Sequence, residues 1–193
     1  MRYATIIIIS AVLIATILIW KSAHNNTPLL KQKMDSSIMQ LTSPAFANNN
    51  TIPKEYTCDG QNISPPLSFE NVPGNTRSLV LIMDDHDVPK NLVPSGIFDH
   101  WVVFNIPSRT KGAAANEILT GIYGSNSSGK PEYTGPCPPD KEHRYIFTLY
   151  ALDSILSLQQ GASKDEVLRE LNGHIIAEAI LIGRFNREKN QVK

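Results

Sequence analysis

Apolar residues along this chain come in short blocks, separated by stretches rich in proline, glycine, asparagine and serine. Ser78-Leu79-Val80-Leu81-Ile82-Met83, Trp101-Val102-Val103-Phe104-Asn105-Ile106 and the run 145–152 are the most compact of these blocks. Each is too short for a typical helix and dense in β-branched or aromatic side chains, so each predicts a strand. The third is apolar almost throughout, which predicts a central strand covered on both faces. Ile180-Leu181-Ile182-Gly183-Arg184-Phe185 predicts a final strand, and residues 174–179 before it a further helical turn. Ser163-Lys164-Asp165-Glu166 carries the signature of a capping box, in which serine and glutamate satisfy each other's exposed backbone donors. A helix is expected to start there and to stop near Gly173. Strands come first and helix late, without regular alternation, which predicts a mainly β (α+β) fold and disfavours a parallel nucleotide-binding sheet.

The N-terminus follows a different rule. From Tyr3 to Trp20 there are 18 residues without a charge, flanked by Arg2 and Lys21. That length nearly spans a bilayer as a helix. The exit from the run, Leu18-Ile19-Trp20-Lys21-Ser22-Ala23, has a lysine where signal cleavage prefers a small residue, so an uncleaved anchor is preferred to a removed signal. The chain therefore divides into an anchor or signal segment (1–21), a polar linker (22–37) and a domain (38–193). Lys21, Lys31 and Lys33 favour a cytoplasmic domain, whereas a short charged start followed by an apolar run has the layout of an export signal. The second reading is preferred, with the domain facing the periplasm or exterior.

Composition narrows the function. Lys and Arg number 18 against 18 Asp and Glu, and four of the basic residues but only one of the acidic ones precede position 38, so the domain is mildly acidic. Nucleic acid is a poor partner for it. Cys58 and Cys137, 79 residues apart, make no C-x-x-C pair, which disfavours a zinc site; a disulfide and two buried thiols remain alternatives. Gly124-Ser125-Asn126-Ser127-Ser128-Gly129-Lys130 matches a phosphate loop until Pro131 stands where a magnesium-binding hydroxyl belongs. Nucleotide hydrolysis is disfavoured, and the segment reads as a flexible loop.

Candidate chemistry gathers at the ends of the strands. Asp84-Asp85-His86-Asp87-Val88-Pro89 places three carboxylates within four residues, which must be spread by a turn or paired with cations. His100 opens the second strand and His143-Arg144-Tyr145 the third. Strand alternation puts His143 and Tyr145 on one face and Arg144 on the other, where it reads as an ion-pair partner. His86 reads as a turn residue. If the strands are neighbours, Asp85, His100, His143 and Tyr145 converge on one hollow.

These motifs, with Tyr56-Thr57-Cys58-Asp59-Gly60, Ser64-Pro65-Pro66-Leu67, the run from His100 to Pro107, Gly135-Pro136-Cys137-Pro138-Pro139 and Gly173-His174, resemble the phosphatidylethanolamine-binding protein family. The likeness is strongest to its bacterial branch, often called Raf kinase inhibitor-like proteins. The resemblance implies two antiparallel sheets with peripheral helices and a small pocket for phosphate or similar anions. The pocket residues it implies are Asp85, His100, Pro139, His143 and Tyr145, supported by Asp87, Pro89, Pro138 and Arg144. His86 departs from the family's usual proline, and Phe98 stands where animal relatives often carry tryptophan. The expected function is non-catalytic binding of a phospholipid head group or phosphorylated small molecule, without metal or other cofactor. Docking on a kinase or protease, or weak hydrolysis with Cys137 as nucleophile, are the alternatives.

Overall fold

The computed structural model describes residues 38–187. The expected anchor and linker lie outside the described residues, and among those described no helix is long and apolar enough to cross a membrane. Every strand and helix described lies in one compact unit that begins at Met39.

Strands β1 (Gln40–Thr42), β3 (Leu67–Glu70) and β6 (Gly112–Ala113) form a small antiparallel sheet in the order β1-β3-β6. The larger sheet contains β2 (Asn50–Thr51), β4 (Ser78–Asp85), β5 (Phe98–Pro107), β7 (Ile122–Tyr123), β8 (His143–Leu152) and β9 (Ile175–Phe185). Its order is β2-β9-β8-β4-β5-β7, antiparallel except where the two-residue β2 runs parallel to β9.

The long strands are apolar on both faces because both faces are covered. Leu79, Leu81, Met83, Val103, Phe147 and Leu149 face one core, shared with Leu41, Leu67 and Phe69 of the small sheet. Val80, Ile82, Val102 and Phe104 face a second core, closed by Val167 and Leu171 of helix α1 (Lys164–Leu171) and by Leu156. The run beginning at Tyr145 is central, as its composition predicts.

One element differs from expectation. Residues 175–185 are strand throughout, and the helical turn expected over 174–179 is absent. Local sequence is permissive there, but β9 pairs with β8 along its whole length, from Leu152↔Ile175 to His143↔Phe185. A ladder on a central strand satisfies backbone donors that a single helical turn would leave open.

Helix α1 begins at the expected capping box. The Ser163 hydroxyl accepts from the Glu166 N–H, and Glu166 Oε2 accepts from the Ser163 N–H at 2.8 Å. Ser163→Ala is expected to lower stability by about 1 kcal/mol. A chemical-denaturation midpoint that does not move would show that tertiary contacts alone hold α1.

Candidate ligand-binding site

The site is built where β4, β5 and β8 end together. Antiparallel register sets Asp85 opposite Tyr145 on β8 and opposite Phe98 on β5. On β5 the register slips: Met83 pairs with Trp101 and Asp84 with Asp99, so His100 has no partner. This β-bulge breaks strict alternation, and bulges commonly re-aim side chains next to functional sites. The His100 ring stands edge-on to Tyr145 at 5.2 Å, although Trp101, its neighbour in the chain, packs in the same core as Tyr145.

The three carboxylates that would repel one another each find a different cation. Asp84 pairs with Lys164 of α1 at 3.1 Å, and Lys164 also binds Asp99. Burial raises the Asp84 pKa, with Lys164 opposing it; the Lys164 pKa rises despite burial because two carboxylates surround it. Asp87 takes the Arg144 guanidinium through two bonds of 2.8 and 2.7 Å and accepts the Arg144 N–H as well. Hydrogen bonding from Arg144 holds the Asp87 carboxyl down at about 2. Arg144 is thus an ion-pair partner, as expected, and His86 is an exposed loop residue 3.6 Å from Asp84.

Asp85 belongs to the third pairing and is itself 3% exposed. Its Oδ1 accepts the Asp87 N–H at 2.8 Å and its Oδ2 accepts from His143 Nδ1 at 2.7 Å. His143 Nε2 makes a further bond of 2.8 Å to Asp140 Oδ1. Both ring nitrogens face carboxylates, so both carry protons and the ring is an imidazolium. Burial alone depresses the His143 pKa, but bonds to Asp85 and Asp140 reverse this and leave it raised.

His100 is the opposite case. Its Nδ1–H donates to the Thr134 carbonyl at 2.7 Å, and the Thr134 N–H donates back to the His100 carbonyl at 3.0 Å. Burial lowers its pKa, so at neutral pH the ring is uncharged and its Nε2 holds a free lone pair. Tyr145 contributes a hydroxyl that is buried and makes no hydrogen bond. Burial raises its pKa most; nearby Asp85 raises it further and the Cys137 N–H opposes this, yet neither reaches hydrogen-bond geometry.

These groups surround a cavity of about 250 Å³, lined by Asp85, His100, Pro139 and Cys137 on one side and by Val88, Leu92, Val93 and Phe98 on the other. His143 and Tyr145 do not line it. The expected common hollow therefore receives Asp85 and His100 directly, while His143 lies behind Asp85 and Tyr145 behind His100. His143 opens β8 but is enclosed between the carboxylates of Asp85 and Asp140, and Tyr145 is covered within the strand. Pro138 is buried beneath exposed Pro139, and the Pro89 carbonyl accepts from the N–H groups of Leu92 and Val93, shaping the apolar lip.

The opposite wall is pinned by a Cys58–Cys137 disulfide, with Cα atoms 5.4 Å apart. Of the two alternatives for the cysteines, the bridge is the one formed, and Cys137 is thereby removed as a candidate nucleophile. Gly135 lies against the Tyr56 carbonyl and donates its N–H to Asn62; an added Cβ would stand 2.6 Å from that carbonyl, so only glycine fits.

Sequence reading missed several supports: Asp140, three residues before His143; Thr134, which fixes the His100 tautomer; and Lys164 with Asp99. It also missed Asn126. Buried in the supposedly flexible loop, Asn126 accepts from the N–H groups of Ser128 and Lys130 and donates to Glu132 and Thr134, tying that loop to the wall of the site. Among the described residues no group of three or more His, Cys, Asp or Glu is placed to hold a metal ion.

The fold and site define a two-sheet β domain with a small, mainly apolar pocket at one end of its larger sheet. The family model for phosphatidylethanolamine-binding protein matches residues 42–186, and the chain belongs to that family, whose fold is a ligand-binding one. A UPF0098 protein of Chlamydia pneumoniae is 47% identical over 149 residues, covering 77% of this chain and 99% of its own length. Another, from Methanothermobacter thermautotrophicus, is 48% identical over 155 residues, with coverage of 77% and 99%. Among solved structures, the phosphatidylethanolamine-binding protein homologue CT736 of Chlamydia trachomatis aligns with a TM-score of 0.78 at 44% identity, covering 79% of this chain and all of its own. YbcL of E. coli, described as a member of the mammalian family, aligns at 0.70 and 27%, covering 78% and 99%.

Proposed function

We propose that the domain is a non-catalytic binding module whose pocket takes a small phosphate-bearing ligand, either a phospholipid head group or a phosphorylated small molecule. In this reading an N-terminal segment holds it at a membrane or sends it outside the cell. The observation that carries the reading is the Tyr145 hydroxyl, a buried donor without an acceptor immediately behind the residues that line the cavity. Leaving such a group unpaired costs on the order of 1–3 kcal/mol, and a ligand oxygen entering past His100 and Cys137 would remove that cost.

The charges restrict the ligand further. Asp85 and neutral His100 are both acceptors, so a fully deprotonated phosphate meets two lone pairs and one donor. A singly protonated phosphate, or a phosphate with an ammonium on the same molecule, supplies the missing donors. Lower pH adds one more, because protonated His100 donates from Nε2. Affinity for phosphate is therefore expected to increase as pH falls below about 6.5 and through the depressed His100 pKa, and His100→Gln is expected to flatten that dependence.

Calorimetry with phosphoethanolamine and with inorganic phosphate tests the reading. Tyr145→Phe is expected to weaken both by about tenfold, the value of one buried hydrogen bond of roughly 1.4 kcal/mol, while leaving the unfolding midpoint unchanged or higher. Unaltered affinity in that variant would remove the phenol from the site. Apolar Val88, Leu92, Val93 and Phe98 beside the polar groups suit a ligand with an organic substituent, so phosphoethanolamine is expected to bind more tightly than phosphate.

A further inference from the structure

A second cavity, of about 410 Å³, is lined in part by residues that adjoin His100 and Thr134 in the chain. It shares no lining residue with the first pocket. His100 and Thr134 line the first, while their chain neighbours Trp101 and Tyr133 line the second. We propose that this second cavity is a binding site for an organic ammonium ion carried on an apolar or aromatic body.

The walls supply the apolar part. Trp101 and Tyr133 meet edge to face at 5.4 Å, and Tyr123 and Ile63 complete the surface. Ile118 stands at the rim with 83% of its surface exposed, in position to cover the body of a guest. Aromatic walls favour cations as well as apolar groups, through the negative faces of their rings.

Charge then selects the sign of the guest. Glu117 and Glu132 are the ionisable carboxylates of the lining, its other polar side chains are neutral amides and hydroxyls, and no lysine, arginine or histidine lines it among the described residues. Glu117 accepts the Ala114 N–H through Oε2 at 2.6 Å, which steadies the side chain and leaves the other oxygen open. Glu132 pairs with Lys130 at 3.4 Å, but both groups are more than half exposed, so a guest ammonium competes against a weak partner. An anion would meet two like charges. A neutral guest would gain the walls without the pairing. The Trp101 indole N–H, buried without a hydrogen-bond partner, is a donor that an ammonium cannot satisfy, so it senses occupancy of the cavity rather than holding the charge of the guest.

The same N–H serves as the reporter. In the full-length chain labelled with indole nitrogen-15, two tryptophans give two signals, Trp20 and Trp101, and Trp101→Phe assigns them. Phenethylammonium chloride is expected to move the Trp101 signal saturably, with the Trp20 signal as an internal reference. 2-Phenylethanol, the neutral analogue, is expected to bind at least tenfold more weakly. Saturating inorganic phosphate is expected not to displace the amine, and His100→Gln to leave its binding intact, so failure of the phosphate reading leaves this one standing. Glu117→Gln with Glu132→Gln is expected to weaken the amine about tenfold at an unchanged unfolding midpoint; should that variant lose stability, the comparison of the two probes on the natural chain decides. Absence of a saturable shift, equal affinity for 2-phenylethanol, or one-for-one displacement by phosphate overturns the proposal.

Discussion

Replacing His143 with alanine is expected to destabilise the domain by about 3–5 kcal/mol, although His143 lines no cavity. The magnitude follows from what remains after the substitution. Asp85, buried to 3% exposure, would keep only the Asp87 N–H and lose the imidazolium that compensates its charge. Breaking a buried pair costs far more than the net value of forming it, because the surviving charge has no water to return to. Asp140 contributes much less, since it is half-exposed and solvent takes over its role.

The same group gives stability a pH dependence whose sign is fixed. The folded-state pKa of His143 is raised above the unfolded value of about 6.5, so folding favours the protonated ring. Its contribution is complete below about pH 6.5 and disappears as pH rises through the raised folded value. Urea midpoints measured from pH 6 to 9 are expected to decline for the natural chain and to lose that part of the slope in His143→Gln. Parallel curves for the two proteins would mean that the imidazolium is not the titrating group.

The second large effect belongs to the disulfide. Removing it by the pair Cys58→Ser and Cys137→Ser is expected to cost about 2–4 kcal/mol, because the bridge closes a long loop, with 79 residues separating its ends, and so restricts the unfolded chain. Both cysteines are exposed, so a dithiol reductant reaches the bridge without prior unfolding. Reduction is therefore expected to lower the midpoint of the natural chain to that of the double serine variant and to leave the variant unchanged. A natural chain indifferent to reductant would show that the backbone bonds flanking the bridge, such as Cys58 N–H to the Pro136 carbonyl, already hold the wall.

Legibility varied with the range of the interaction. Strands β4, β5 and β8 announced themselves because central strands must be apolar on both faces, a property carried by each segment alone. The capping box of α1 was equally readable, since donor and acceptor lie three residues apart. Residues 174–179 misled because a short stretch of mixed polarity satisfies either helix or strand, and only its pairing with β8 settles which. Family resemblance points to the pocket residues, but not to their division into lining and supporting groups. That division depends on a bulge at His100 and on the two carboxylates that enclose His143, neither of which leaves a mark in the local pattern.

By itself the sequence determined that this is a β-rich domain with a late helix, that its ionisable groups cluster at strand ends, and that two cysteines were present either to pair or to stay as thiols. Those are consequences of local periodicity and residue chemistry. Only the tertiary structure decided that each of three neighbouring carboxylates has a different cation, that one histidine is charged and the other neutral, and that the cysteines are bonded. The reason is that protonation and pairing depend on burial and on partners tens of residues away, and distance along the chain says nothing about distance in space.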